Sequence, residues 1–302
     1  MTLPNFFIIG AAKSGTSSLC MYLRQHPKIY MSPIKEPHFF SFDNASKMTK
    51  GPGDPIYKAI TDLDQYKHLF DNVKDEIAIG EASTSYLYRP ETPKRIHTML
   101  PKSKFIAILR NPVDRAFSAY MHVVRDKRET AKNFSEALSL ENTRLGAGWE
   151  PIWHFTNVGR YYNQISRYYH IFDREKIRIF LYEDLIEDQV KLLHDIFKFL
   201  EVDTDFIPES SVRFNVSGEQ KSDLLHKLNL LLFNSPNPIR WLSRKVVPDI
   251  WRGNIVNWAR QKNLKKTQIS PETRDKLGNI FEGEILKLQD LIERDLTQWL
   301  EN

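Results

Sequence analysis

Short apolar runs and helical patterns alternate along most of the chain. Each apolar run has the length of a β-strand and precedes a turn or a helical pattern. The runs lie at residues 6–10, 77–83, 104–110 and 176–182. Because uninterrupted apolar strands flanked by helices are typical of parallel sheets covered on both faces, the pattern predicts an α/β fold with a parallel β-sheet flanked by helices.

Helices are predicted where apolar residues recur with helical spacing between and after these strands. They cover residues 16–25, 91–99, 112–127, 134–145, 156–172 and 184–200. A C-terminal helix is predicted to begin at Pro271, with Ser270 as its cap, and to end near Leu300. The sequence contains no internal repeat and no low-complexity segment, and we predict a single domain over residues 1–302.

Residues 221–266 depart from this alternation. They contain ten Lys/Arg against two Asp, and three tryptophans. Such a basic, aromatic segment is typical of short amphipathic helices laid over a sheet. It is predicted to form a helical lid or a surface segment within the domain.

Composition narrows the classes of function only mildly. Hydrophobic residues make up 41% and charged residues 27%, as in ordinary soluble proteins. The net charge of +5 suits an anionic substrate and is too small to indicate nucleic acid. Cys20 is the only cysteine, which excludes an intrachain disulfide and a cysteine metal cluster. Since the sequence shows neither a signal-peptide pattern nor an apolar run of roughly 20 residues, we predict a cytoplasmic protein.

The stretch "GAAKSGTSSL" (10–19) combines phosphate-loop glycines with a displaced cation. Gly10 and Gly15 have the spacing of a nucleotide-binding P-loop, but Thr16 stands where the lysine belongs and Lys13 lies inside the loop. The N–H groups of residues 14–18 would face an anion at the start of a helix. Hydroxyl groups are added by Ser14, Thr16, Ser17 and Ser18. The pattern predicts a site for an anion shorter than a triphosphate; the alternative is a strand–turn–helix with a capping cluster.

The stretch "FIAILRNPVDRAFSAY" (105–120) predicts a strand that ends in a cation. Arg110 occupies the carboxyl end of the strand, where parallel sheets bind ligands, and Pro112 opens a helix that carries Ser118 two turns later. P-loop NTPases commonly place a magnesium-binding aspartate at such a strand end. The alternative role for Arg110 is an ion pair with Asp114.

These segments, together with "KEPHFF" (35–40), resemble the sulfotransferases that use 3′-phosphoadenosine 5′-phosphosulfate (PAPS). The motifs are most similar to the heparan-sulfate-type and related bacterial branch, and the resemblance extends over roughly residues 5–200. It implies a P-loop-like α/β fold, PAPS as donor, adenosine 3′,5′-bisphosphate (3′,5′-ADP, PAP) as product, and no metal.

The resemblance also implies roles for residues on the donor side. Lys13 would contact the sulfate bridge and the 5′-phosphate, which residues 14–18 would cradle. Arg110 and Ser118 would hold the 3′-phosphate. Tyr182 would lie near the adenine, or else be a packing residue at a strand end.

A third donor segment of the family has its counterpart in "FNVSGEQKS" (214–222). Several relatives carry a basic, glycine-containing loop here that closes on the 3′-phosphate. In this chain Gly218 is present without a neighbouring basic cluster, and Lys221 or backbone amides would supply the contact.

On the acceptor side, Glu36 matches the glutamate base of this branch, and His38 is the second candidate. In an extended segment both side chains would share one face, with Pro37 between them. The alternative is a surface pair of Lys35 and Glu36 beside a buried Phe39–Phe40 anchor. A second wall is predicted at "GEASTSYLY" (80–88), where the catalytic-site lysine of some relatives is absent and Ser83 or Lys35 would take its place.

The favoured function is transfer of a sulfuryl group to a hydroxyl of a small metabolite, lipid or glycan by in-line displacement. A nucleotide kinase or other P-loop NTPase is the first alternative, which the misplaced lysine and Arg110 disfavour. The second is a non-catalytic module that binds anions or a membrane surface through residues 221–266. The sequence leaves the oligomeric state open.

Overall fold

A five-stranded parallel sheet forms the centre of the protein, in the strand order β2-β3-β1-β4-β5. The strands are β1 Phe6–Gly10, β2 Ile29–Met31, β3 Ala78–Ala82, β4 Lys104–Leu109 and β5 Ile177–Leu181. The structure, a computed structural model, describes residues 2–42, 51, 59–209 and 268–301, and only the backbone of 219–220 and 264–265. The predicted α/β fold is confirmed.

The apolar run of β1 is buried on both faces because its side chains alternate between two cores. Phe6 and Ile8 belong to the core on one face of the sheet, whereas Phe7 and Ile9 belong to the core on the other. This period of two is the geometry of a strand. The central strand that leads into the glycine loop is therefore held from both sides.

Helices cover both faces of this sheet. They are α1 Thr16–Leu23, α2 Leu63–His68, α3 Ser85–Tyr88, α4 Thr92–Met99, α5 Pro112–Arg125, α6 Phe134–Ser139, α7 Glu141–Gly146, α8 Tyr161–Tyr169, α9 Tyr182–Glu187, α10 Gln189–Leu200 and α11 Pro271–Ile292. Short 3-10 turns lie at Phe39–Ser41, Pro151–Trp153, Asn157–Gly159, Arg174–Lys176 and Thr297–Trp299. Within the described ranges no helix is both long enough and apolar enough to span a bilayer.

Two helix starts follow the sequence signals closely. Pro112 opens α5, and the side chain of Asn111 accepts a bond from the Val113 amide. Pro271 opens α11 behind Ser270, whose hydroxyl accepts a bond from the Thr273 amide at 3.3 Å. Both are the proline-after-cap arrangement.

Helix ends and interruptions differ from the prediction. The helix predicted over 184–200 is two helices, because Asp188 turns the chain and caps α10 through the Lys191 amide. The one predicted over 134–145 is likewise divided, and α8 begins only at Tyr161. The C-terminal helix ends at Ile292, where Glu293 adopts a left-handed conformation. Strand β2 and helices α2 and α3 were not predicted.

Candidate active site

The glycine loop leaves its amides facing outward at the carboxyl end of β1. The Ala11 amide bonds to the Ile108 carbonyl on β4, which fixes the start of the loop. The N–H groups of residues 15–18 donate to no acceptor in the described part of the chain. These unsatisfied donors at a helix start form an anion-binding cradle.

Gly15 is required by the shape of this cradle. Its φ of 89° is in the left-handed region. A Cβ atom there would lie 2.6 Å from Leu185 Cδ2 and 3.3 Å from the Tyr182 ring. Helix α9 therefore packs directly against the loop and brings Tyr182 to it.

Lys13 points from the loop towards α5. Its Nζ lies 3.2 Å from His122 Nδ1, and the Arg125 guanidinium lies 2.9 Å from the same nitrogen. Burial and the nearby charge of Arg125 lower the pKa of Lys13 to about 8. Burial and the charge of Lys13 lower the pKa of His122 to about 4, so this imidazole is neutral at pH 7. The 3.4 Å from His122 Nε2 to Asp126 fits a ring that accepts at Nδ1.

Arg110 joins the loop to α9. Its guanidinium donates to the Lys13 carbonyl at 3.3 Å and lies 4.8 Å from the centroid of the Tyr182 ring. The Arg110 carbonyl accepts a bond from the Tyr161 hydroxyl. The alternative ion pair with Asp114 is wrong, because Asp114 pairs with Arg274 at 2.7 Å.

Helix α5 presents one face to the loop. Ser118 is buried on it and precedes His122 by one helical turn, so the two side chains share a face. Four predicted donor-side residues, Lys13, Gly15, Arg110 and Tyr182, are thus in contact, and Ser118 lies one turn from His122.

Glu36 and His38 do meet, but not in the predicted extended segment. Glu36 has a φ of 61° and His38 a φ of 56°, so both are left-handed. Glu36 Oε2 lies 3.3 Å from His38 Nε2, and Lys35 Nζ lies 2.6 Å from Glu36 Oε1. The Lys35–Glu36 pair and the buried Phe40 of the alternative interpretation are both present, but the pair is only about 30% exposed, with side chains at 30% and 29%.

The acceptor-side carboxylate is held in its charged form. Burial alone would raise the pKa of Glu36, but the hydrogen bond from His38 and the charge of Lys35 outweigh burial and keep it well below its usual range. The Glu36 amide donates to the Ala82 carbonyl at the end of β3 at 2.8 Å, and β3 is the neighbour of β1 in the sheet. Because Lys13 follows the carboxyl end of β1, the Glu36 and Lys13 sides lie at the same edge of the sheet.

Some predicted features lie outside the described residues. Gly218 and Lys221 are among them, as is most of 221–266, of which only the backbone of 264–265 is described. The latter pairs antiparallel with residues 219–220. In the described ranges no group of three His, Cys, Asp or Glu side chains is placed to hold a metal.

Sequence reasoning missed His122 and Arg125. The signal for His122 was its spacing of four residues from Ser118 on a predicted helix. Arg125 follows three residues later on the same face. Tyr161 is fully buried, yet its hydroxyl reaches the backbone of Arg110.

The site combines an anion cradle at the end of a parallel sheet with cations where an NTPase would hold magnesium. This combination defines a phosphate-binding α/β protein that is not a nucleoside-triphosphate enzyme. The family model described as "Sulfotransferase domain" matches residues 3–284. The chain therefore belongs to the sulfotransferase family.

Three similar proteins illustrate the family. A sulfotransferase from Alicyclobacillus acidocaldarius, known from its crystal structure, is 38% identical, with a TM-score of 0.79 and full coverage of both chains. The bifunctional heparan sulfate N-deacetylase/N-sulfotransferase 3 of Mus musculus is 28% identical over 228 residues, covering 70% of this chain and 24% of that protein. The chain thus spans about a quarter of that relative.

Mouse sulfotransferase SULT7A1, solved in complex with PAP, shares the fold. It is 16% identical with a TM-score of 0.50, over 93% of this chain and 84% of that one.

Proposed function

We propose that the enzyme transfers the sulfuryl group of PAPS to a hydroxyl of a small-molecule, lipid or glycan acceptor, by in-line displacement and without a metal. The observation that carries the proposal is that two unlike halves lie at the carboxyl ends of the neighbouring strands β1 and β3. Free amides and cations lie on one side, and the Glu36–His38 pair lies on the other. The predicted cytoplasmic location and single-domain organisation remain predictions.

The donor half fits a nucleotide phosphate group. The amides of residues 15–18 supply donors that lack acceptors in the described part of the protein, and Gly15 holds the loop in this shape because Leu185 and Tyr182 leave no room for a side chain there. Lys13 and Arg110 would hold the phosphates, and Tyr182 would lie beside the base. When bound, PAPS supplies an activated sulfuryl group on a phosphate leaving group.

Lys13 stabilises the negative charge that grows on that phosphate as the bond to sulfur breaks. Preorganised donors aimed at developing charge typically contribute about 2.7–4 kcal/mol each. Two cations and a helix start perform here the neutralisation that magnesium performs in NTPases, which supports transfer without a metal.

Glu36 accepts the proton of the attacking hydroxyl. Its charged form is ready to do so at neutral pH, and His38, bonded to Ser85 on its other side at 2.6 Å, fixes the direction of the carboxylate. The neutral imidazole of His122 is a further candidate base, because its Nδ1 lies 3.2 Å from Lys13 Nζ in the donor half.

Calorimetry and an acceptor screen test the proposal. PAP should bind in excess EDTA, and ATP should bind no better with magnesium than without it. Incubation with PAPS and a panel of hydroxyl and amino acceptors, including glycans, should give a sulfated product by mass spectrometry.

Three results would contradict the proposal in different ways. Loss of PAP binding in EDTA would refute metal independence, and products from amino acceptors alone would refute the hydroxyl acceptor. Binding of anionic vesicles, with no turnover on any acceptor, would favour the non-catalytic module.

A further inference from the structure

Glu81, at the end of β3, is a fully buried carboxylate with three hydroxyl partners. Tyr66 and Tyr86 each donate to Oε1 at 2.7 Å, and Ser83 donates to Oε2 at 3.0 Å. Three donors satisfy a carboxylate well, and so offset much of the cost of burying it.

Two of these hydroxyls also accept bonds from the backbone of the 36–40 segment. The His38 amide donates to Ser83 Oγ at 3.1 Å, and the Phe40 amide donates to the Tyr86 hydroxyl at 3.3 Å. The Glu36 amide donates to the Ala82 carbonyl at 2.8 Å. Every second amide of the segment is therefore docked on the end of β3 or on the helix α3 that follows it, and two of the three depend on hydroxyls bound to Glu81.

This docking holds a conformation that the segment would not adopt alone. Left-handed φ values at Glu36 and His38 are unfavourable for residues other than glycine, typically by about 1 kcal/mol or more each. A hydroxyl has one hydrogen and two lone pairs, so committing the hydrogen to Glu81 leaves lone pairs for the amides.

We propose that Glu81 is a positioning residue, which orients the hydroxyls of Ser83 and Tyr86 and through them fixes Glu36 and His38 in the geometry of catalysis. The proposal rests on the proposed function only for the role of Glu36 as base. The docking itself is independent of that role.

The network tolerates either charge state of Glu81. Burial raises the pKa of this carboxyl to about 7. Burial also raises the pKa of each tyrosine hydroxyl around it, at Tyr66, Tyr86 and Tyr168, so these groups stay neutral. A proton on Oε2 would be donated to Ser83 Oγ, which keeps a lone pair for the His38 amide. Glutamine, with its NH₂ group at that position, is an isosteric mimic of the protonated form.

The substitutions Glu81→Met and Glu81→Gln therefore separate the effect of the hydrogen bonds from the effect of the charge. In Glu81→Met the hydroxyls lose their acceptor, and we expect amide exchange at His38 and Phe40 to accelerate at least tenfold. The Glu36 amide, which bonds to a backbone carbonyl, serves as the internal reference. Single-turnover sulfation should fall at least tenfold while the Kd for PAP changes less than twofold. Glu81→Gln should stay within threefold of wild type in every measurement.

Tyr66→Phe is the matched control. It removes a hydroxyl that reaches Glu81 but no segment amide, and it keeps the ring stacked on Phe39 at 4.2 Å. Exchange at His38 and Phe40 should be unchanged. If Glu81→Met does not fold, Ser83→Ala and Tyr86→Phe test the same bonds one at a time, each on its own amide.

A double-mutant cycle distinguishes positioning from general destabilisation. If Glu81 acts through Glu36, Glu81→Met should slow the Glu36→Gln enzyme less than threefold. Independent, multiplicative effects or unchanged exchange at His38 would overturn the proposal. Accelerated exchange without any effect of Glu36→Gln on turnover would leave the docking intact and refute the role of Glu36 instead.

Discussion

The donor half and the acceptor half of the site differ in how their polar and charged groups are paired. On the donor side, the amides of residues 15–18 lack acceptors in the described structure, and Lys13 lies among the like charges of Arg125 and Arg110. On the acceptor side, Glu36 is already paired with both Lys35 and His38. One half is short of negative charge, while the other has its polar groups bonded to one another.

This difference assigns separate contributions to the two halves. The donor half contributes binding free energy, and the acceptor half contributes a rigid geometry. An anion entering the donor half gains contacts that the free protein does not make with its described residues. The acceptor half gains little of this kind, and its value lies in geometry fixed before the acceptor arrives. Substitutions on the donor side should therefore weaken binding, whereas those on the acceptor side should slow the reaction.

The largest effect is expected for Glu36→Gln, which keeps the shape but removes the proton acceptor. Turnover should fall by about 10²–10⁴-fold, the usual contribution of a general base, with the Kd for PAP unchanged. Single-turnover assays and calorimetry would measure both. Near-normal turnover here, with His38→Ala or His122→Ala inactive, would move the base to that histidine.

Lys13→Ala should lose both turnover and affinity for PAP, because Lys13 would contact the bound donor and stabilise the charge that develops on it. We expect turnover to fall by about 10²–10³-fold and the Kd for PAP to rise. Lys102→Ala, at an exposed position, is the control for a lost positive charge. Slower turnover with unchanged PAP affinity would place Lys13 with the acceptor half. It would contradict the division into a half that binds the donor and a half that sets the geometry of the reaction.

Arg110→Ala should remove the preference for a 3′-phosphate. A charged hydrogen bond of this type contributes about 1.5–3 kcal/mol, or roughly 10–150-fold in affinity. Calorimetry would compare PAP with adenosine 5′-phosphate in both proteins. Arg274→Ala, which loses an ion pair to Asp114 instead, should keep the preference. An intact preference in Arg110→Ala would show that another group binds this phosphate.

The smallest effect is expected from pH. The free protein holds the pKa of Lys13 at about 8, and a bound anion raises it, so the complex favours the ammonium form. Affinity for PAP should therefore fall as pH rises above about 8, by at most about tenfold per unit. Calorimetry at pH 8.5 in buffers of different ionisation enthalpy should show proton uptake on binding. Lys13→Ala should show none.

Local signals in the sequence predicted the strands and helix starts that carry Lys13 and Arg110. Apolar runs predicted the strands, and glycine spacing placed the loop, because both depend on neighbouring residues. The caps at Asn111 and Ser270 are short-range features of the same kind. Strand β2 was not predicted, because its three residues are too few to show a pattern of apolar and polar positions.

The acceptor half could not be predicted in the same way. The left-handed backbone at Glu36 and His38 is imposed by bonds to β3 and to Ser83, which lie about 45 residues away in the chain. The contact of Lys13 with His122 joins residues 109 positions apart. Only the packing of α5 along the loop creates it.

A lysine and a glutamate at the same edge of a sheet, as Lys13 and Glu36 are, tend to neutralise each other, which would leave neither available to a substrate. In the free protein, the neutral imidazole of His122 accepts a hydrogen bond of 3.2 Å from Lys13. Such a bond contributes only about 1.5–3 kcal/mol, so an incoming phosphate can displace it. Opposite charges are thus kept apart, and the arrival of the donor transfers Lys13 to the phosphate and leaves the imidazole nitrogen to Arg125.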